Sequence, residues 1–348
     1  MNRRPIGYYV HHHGAGHRAR ADAIVAASDW PIVLLGTGLG GAGIDLPDDR
    51  PVSGRFDGQD FADCRPDALH YAPLDHEGVR ARVAEMAGWI ATARPALMVV
   101  DVSVEAAMVA RLASVPTVYV RLNGERDDAA HRDAFRGASA LLAPFPPALD
   151  AAATPAWVRD KTRYLPGITA EACAGTPIDR RILVVFGRGG AAGDGAMLAD
   201  AARACPQWVW RVIGPATTPA DIPANLEFAG WVDAPGREIA RARIVVGAAG
   251  DGLVGAVMAA DQPFVCVPED RPFGEQRATA RGLDRIGAAV VLPEWPGGES
   301  WPVLIEKALS LRSSARRSLH DERGAQKAAS WLGGMAAAVT CGIKEHAV

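Results

Sequence analysis

Lysine is nearly missing from this 348-residue chain, occurring only at Lys161, Lys307, Lys327 and Lys344, so arginine fills almost all of the 37 basic positions. With abundant Ala and Gly this fits a GC-rich coding bias, which takes weight from any argument built on one arginine. No charge of either sign dominates: 40 acidic against 37 basic side chains leave a formal charge of -3. Without a broad positive field a nucleic-acid backbone is not an expected partner.

Cysteine is scarce as well. Cys64, Cys173, Cys205, Cys266 and Cys341 are odd in number, far apart and form no CxxC pair. Neither a disulfide scaffold nor a zinc knuckle is therefore implied, and a reducing cytoplasm is the expected compartment. Long apolar runs are also lacking. The segment MNRRPIGYYVHHHGAG has too short an apolar stretch for a signal-peptide core or a membrane span, so neither secretion nor transmembrane anchoring is expected.

What the chain does have is ordinary globular material, 49% hydrophobic and 22% charged. That is enough for sizeable cores and argues against disorder. The length suggests about two domains.

Near-continuous apolar runs alternate with helix-like stretches. In the first half, residues 6–10, IVLL (32–35), ALMVVDV (96–102) and TVYV (117–120) read as strands, with RARADAIVAAS, GVRARVAEMAGWIATA and EAAMVARLAS as helices. After YLPGITAEACAGTPID the pattern restarts with RRILVVFG, a glycine-rich turn and AMLADAARAC, then continues through WVWRVIG, ARIVVG and PFVCVP. Such alternation implies parallel sheets covered on both faces.

The expected organisation is α/β: two doubly wound, Rossmann-like domains facing each other across a cleft. We place an N-terminal domain at 1–165, a linker at 166–179, a C-terminal domain at 180–315 and a final helical segment at 316–348 that crosses back onto the first domain. Helices are expected at Val303–Leu311 and Arg316–Met335.

The segment HHHGAGH, His11 to His17, lies where the first strand ends, the edge at which α/β proteins place ligands. Gly14 and Gly16 permit close backbone approach, and the following helix start offers free N–H groups to an anion. Four histidines in seven residues invite a metal reading, but successive strand residues point to opposite faces and no carboxylate or cysteine is near in sequence. A general base is the better reading, with no metal site. Asp101 ends a strand at the same edge and either orients that histidine or is itself the base.

GRGGAAGDG, Gly187 to Gly195, follows a buried strand, so Arg188 and Gly190 are candidates for a phosphate cradle. GAAGDGLVGAV repeats this geometry, with Gly250, Asp251, Gly252 and Leu253 at a helix start. Asp251 is awkward beside phosphate and is alternatively the helix N-cap. In PEDRPFGEQ, Glu275 and Gln276 suit bidentate recognition of sugar hydroxyls. Arg121, Asn123, Arg126 and Asp127, in YVRLNGERDD, follow another strand at the cleft edge.

In this order and spacing these pieces resemble glycosyltransferases of the GT-B fold, especially family 28, whose best-known member adds N-acetylglucosamine to the lipid-linked peptidoglycan precursor, and also family 1. The family's N-terminal loop is similar to GAGH, which implies His17 as base, or His13 if the loop turns differently. The resemblance implies that Trp231 and Val232 meet the nucleotide base, that Gly250 to Leu253 face the diphosphate, and that Gln276, with Glu275 beside it, meets the donor sugar. One departure is that the glutamate that usually binds the donor ribose falls at Ala256.

The resemblance thus implies an inverting, metal-independent transferase that uses a nucleotide-diphosphate sugar, UDP-type in the family, as co-substrate and has no resident cofactor. The acceptor, met by Arg121, Asn123, Arg126 and Asp127, is either a small molecule or lipid-linked, which leaves room for peripheral membrane contact. Two alternatives stand beside this: a nucleotide-sugar 2-epimerase of the same fold, and an inactive nucleotide-sugar-binding accessory protein. An NAD oxidoreductase is more remote, since neither loop carries the dinucleotide spacing followed by an acidic residue.

Overall fold

The computed structural model describes residues 3–12, 15–50, 65–169, 175–187 and 190–345. His13, Gly14 and Arg188 lie outside the described residues, as does part of the predicted linker.

The first half contains β1 (Ile6–Tyr9), α1 (Ala15–Ala26), β2 (Ile32–Gly36), β3 (Ile44–Asp45), α2 (Glu77–Ala93), β4 (Leu97–Asp101), α3 (Val104–Leu112), β5 (Thr117–Val120), α4 (Ala129–Gly137), β6 (Ala140–Ala143), α5 (Ala156–Lys161) and β7 (Thr162–Tyr164). Its strands form one parallel sheet in the order β3-β2-β1-β4-β5-β6-β7. β4 and β5 are buried at every position, which explains their unbroken apolar runs, because helices cover both faces. Side-chain caps start the helices where the chain leaves the sheet: Ser103 accepts from Ala106 N before α3, and Asp128 from His131 N before α4.

The second half contains β8 (Arg181–Val185), α6 (Gly195–Ala204), β9 (Val209–Ile213), β10 (Leu226–Gly230), α7 (Pro235–Arg241), β11 (Ile244–Gly247), α8 (Asp251–Ala259), β12 (Phe264–Cys266), α9 (Glu275–Arg285), β13 (Val290–Val291), α10 (Trp301–Ser310), α11 (Ser313–Arg317) and α12 (Gly324–Glu345). Its parallel sheet runs β10-β9-β8-β11-β12-β13. The fold is therefore two doubly wound α/β units. Strand order reverses beside β1 and β4 in one and beside β8 and β11 in the other, and such switch points open crevices at the carboxyl ends of the strands.

The expected single helix over Arg316–Met335 is instead two. α11 ends at Arg317, the chain turns at Asp321, whose carboxylate accepts from Arg323 N, and α12 begins at Gly324. Close backbone approach forces the break: a Cβ on Gly324 would lie 2.2 Å from Pro166 O, and one on Gly167 2.1 Å from Asp321 O. Ala328, Ala329, Leu332 and Ala336 of α12 belong to the core of the first domain, against Ile24 and Leu97. Conversely, Phe145 and Leu149, just after β6, pack into the core of the second.

The domains also meet directly. Glu125 N donates to Phe273 O at 2.7 Å, and Asn123 Nδ2 donates to Leu149 O and to Thr279 Oγ1 at 3.0 Å. Gly124 permits this joint: its φ is +105°, and a Cβ there would sit 2.5 Å from Phe273 O.

Candidate active site

β1 and β4 are adjacent and parallel, so the loop after one and the last residue of the other share a sheet edge. There His17, in the first turn of α1, places Nδ1 2.8 Å from Asp101 Oδ1. Asp101 is fully buried. Its other oxygen accepts from Tyr8 OH at 3.2 Å and lies 3.7 Å from Arg20 Nε. Burial alone would raise the Asp101 carboxyl, but Arg20, His17 and Tyr8 together hold it below the usual carboxylate range. An ionised Asp101 can only accept, so His17 Nδ1 carries the proton it shares, and Nε2 remains as the basic nitrogen. Of the two roles open to Asp101, the geometry supports orienting the histidine.

The backbone beside this pair is constrained. Val102 has φ +75°, which a β-branched residue rarely adopts, and Tyr119 OH donates to Val102 O. Arg20 is also held here, 4% exposed, with Nε and Nη1 lacking a hydrogen-bond partner. Burial opposes its charge, but Asp101 and Tyr8 more than compensate and its pKa is raised. Sequence reading passed over Arg20 because one arginine among so many carries no local signal.

His11 and His12 lie beside this pair without joining it at Asp101. His11 stacks on His12 at 4.8 Å and tilts against His17 at 5.5 Å, while His12 faces Asp49 at 3.5 Å. Among the described residues no group of three or more His, Cys, Asp or Glu side chains is placed to hold a metal ion.

Across the cleft, α8 starts at Asp251 with Gly250 as N-cap and no side-chain cap. Asp251 is thus not the cap, and the first N–H groups of α8 are uncapped. Asp251 is exposed to the cleft, and desolvation by the neighbouring cleft walls raises its carboxyl, against the pull of Arg20, His17 and Arg126. α6 differs: Asp194 accepts from Ala196 N and Met197 N, and Thr217 Oγ1 from Gly195 N, so this helix start is already satisfied. In the loop before it, Gly190 lies against Glu269, whose Oε1 would be 2.2 Å from a Cβ there.

Gln276 ties two of the predicted donor segments together. Its Oε1 accepts from Ala249 N at 3.1 Å and Glu269 N at 2.9 Å, which leaves Nε2 as its remaining polar group. Glu275 Oε2 accepts from Arg126 Nη2 at 3.1 Å across the domain joint, and burial raises its pKa. Gly252 is exposed and Leu253 half-buried on α8; Val232 packs against the second-domain core, and Trp231 is 57% exposed.

The predicted acceptor residues separate into two groups. Arg126 faces the cleft and lines a cavity of about 400 Å3. Arg121 and Asn123 do not. Arg121 is 2% exposed and pairs with Asp150 through two hydrogen bonds of 3.0 and 2.9 Å. Asn123 spends its amide on Leu149 and Thr279 and its oxygen on Gly124 N and Ala151 N. β5 runs straight into this joint, which turns both side chains inward; Asn123 bridges to the second domain at Thr279, and Arg121 anchors Asp150, next to Leu149 at the joint. Asp127 lies beside them, with Arg126, on a smaller cavity of about 120 Å3.

The larger cavity opens beside His17 and was not legible in the sequence, because α2, α3 and three loops build it together. Val79, Val83, Met86, Val104 and Val109 form its floor, with Tyr71, His70, His131 and Phe273 around the rim. Burial lowers the pKa of His12 and His70, and takes His131 to about 4, so these imidazoles are neutral at pH 7, while Asp49, Arg82, Glu105, Arg126 and Glu275 bring charge to the same lining.

No protein-family model matches the chain, and no curated protein sequence matches it. Solved structures do match in shape. The glycotransferase of kitacinnamycin is similar with a TM-score of 0.68 and 14% identity, over 96% of this chain and 100% of that one. MurG of Acinetobacter baumannii gives 0.64 and 16%, over 95% and 99%. The glycosyltransferase VinC, solved in complex with dTDP, gives 0.62 and 14%, over 95% and 99%. At these identities the likeness establishes the GT-B fold. Among the described residues no helix is long and apolar enough to cross a membrane.

Proposed function

We propose that this chain is a glycosyltransferase: it holds a nucleotide-diphosphate sugar against its second domain and passes the sugar to a hydroxyl of an acceptor bound in the first-domain cavity. The observation that carries the reading is the His17–Asp101 pair at the mouth of that cavity, facing the uncapped start of α8.

In the proposed step His17 Nε2 takes the proton of the acceptor hydroxyl as its oxygen attacks the anomeric carbon. The bond from that carbon to the diphosphate oxygen breaks, and its electron pair leaves with the diphosphate. Attack opposite the leaving group inverts the anomeric centre. Asp101 stabilises the imidazolium that forms, and the N–H groups of α8, with Arg20 on the opposite wall of the cleft, offset charge on the leaving group. Proton transfer of this kind is typically worth about 10²–10⁴-fold.

The donor is a co-substrate, and the residues given roles need neither a metal nor a resident cofactor. Ala256 sits on α8 against the second-domain core, so no carboxylate reaches the ribose from that position. Incubation with UDP, dTDP and GDP sugars and a panel of hydroxylated acceptors, read by mass spectrometry, tests the proposal. A glycoside together with free nucleotide diphosphate supports it; sugar converted in the absence of any acceptor points to an epimerase instead.

A further inference from the structure

The acceptor cavity is not the work of one domain. Arg271, Pro272, Phe273 and Glu275 of the second domain complete a wall otherwise made by the first. Phe273 is the projecting member. Its ring lies 4.9 Å from that of His131 and 5.7 Å from that of His70, and Arg126 stacks over it at 4.4 Å.

Phe273 holds this place in a backbone conformation unfavourable to it, φ 60° and ψ 16°, followed by Gly274 at φ 58°. A glycine would take the left-handed conformation without cost. That a large aromatic sits there, one residue before the glycine, argues that its ring is what the site needs. On the far side of Phe273 and His70 lies a second, more open space of about 500 Å3, bordered by Arg65, Asp67, Leu69 and Asp128. Phe273 and His70 line both spaces, so their rings are the partition between them.

Resting on the reading of the inner space as the acceptor site, we propose that Phe273 sets acceptor size: it closes the cavity against molecules longer than the inner space, so that the class accepted is compact and presents an apolar face to the floor. Withdrawing its ring joins the two spaces and admits extended acceptors. Because Phe273 belongs to the donor-binding domain and its carbonyl accepts from Glu125 N, acceptor selection depends on the domains being docked.

Two uncharged fluorescent probes of one chemistry and different length test this: the aminonaphthyl ketones prodan, with a propionyl chain, and laurdan, with a lauroyl chain. Wild type should bind the short dye and discriminate against the long one. Phe273→Ala should tighten the long dye by about tenfold or more and change the short dye by less than about threefold. Phe273→Leu, which keeps apolar bulk at the joint, should fall between. Nucleotide-diphosphate binding and melting temperature report whether each variant remains folded.

Equal ranking of the two dyes by wild type and by both folded variants would overturn the proposal. Val83→Trp, which fills the inner floor, should abolish short-dye binding. Were that binding untouched, the cavity would not be the acceptor site, a failure of the underlying reading separable from a failure of the gate.

Discussion

His17 Nδ1 and Asp101 Oδ1 stand 2.8 Å apart, the one half-buried at the cleft and the other sealed beneath it. The pairing leaves the imidazole one free nitrogen, directed by a carboxylate that Tyr8 and Arg20 keep ionised. Asp101→Asn preserves the shape and removes the charge. It should lower transfer by about 10²–10⁴-fold while leaving donor affinity within about threefold. Steady-state rates and calorimetric donor binding measure the two separately; a variant with near-normal rate would remove Asp101 from the mechanism.

Gln276 should separate architecture from recognition. Gln276→Ala leaves two backbone N–H groups without an acceptor, which should cost about 2 kcal/mol or more of stability. Gln276→Glu keeps an accepting oxygen but adds charge near the diphosphate. Its unfolding free energy should stay close to wild type while nucleotide-diphosphate affinity falls by about tenfold. Denaturant titration and calorimetry on both variants provide the comparison.

The Arg121–Asp150 pair should behave as a brace. Arg121→Met strands a buried carboxylate and should destabilise by about 3–5 kcal/mol. Adding Asp150→Leu should recover much of the loss, because the charge left behind is removed. If Arg121→Met were fully stable but failed to accept sugar acceptors, Arg121 would be returned to the acceptor site.

His131 predicts a pH dependence. Burial holds its folded pKa at about 4 against 6.5 for the free side chain, so between those values the unfolded chain binds more protons. Its contribution to stability is therefore complete above pH 6.5 and is lost as pH falls toward 4, by up to about 3 kcal/mol. Denaturant unfolding at pH 7 and 4.5 should show a shallower loss for His131→Gln than for wild type. Parallel losses would show that another group carries the acid sensitivity.

The parts of the fold that were legible in the sequence are those governed by burial on both faces. β1, β4, β5, β8, β11 and β12 are unbroken apolar runs, and the glycine-rich turns after them mark the sheet edge where His17, Asp101 and Gly250 lie. β6, β7, α4 and α5 went unread: α4 is short and charged, and β7 has polar residues at two of its three positions. The inward turn of Arg121 and Asn123 was hidden for another reason. A charged run after a strand looks the same whether it meets solvent or a second domain, and only the approach permitted at Gly124 decides which. The proposed acceptor cavity is lined by residues as far apart in the chain as Tyr9 and Glu275, so no local window contains it.

The central claim is that the cleft binds a nucleotide-diphosphate sugar whose transfer needs His17, and a paired measurement on wild type and His17→Ala tests it most directly. Melting temperature is recorded with UDP, dTDP and GDP sugars, and product formation is followed with the sugar that binds. At a ligand concentration of about 100 times Kd the stabilisation should be about 2.7 kcal/mol. The account predicts the same upward shift in both proteins and transfer only in wild type. Absence of any shift across the panel, or transfer that survives in His17→Ala, would contradict it.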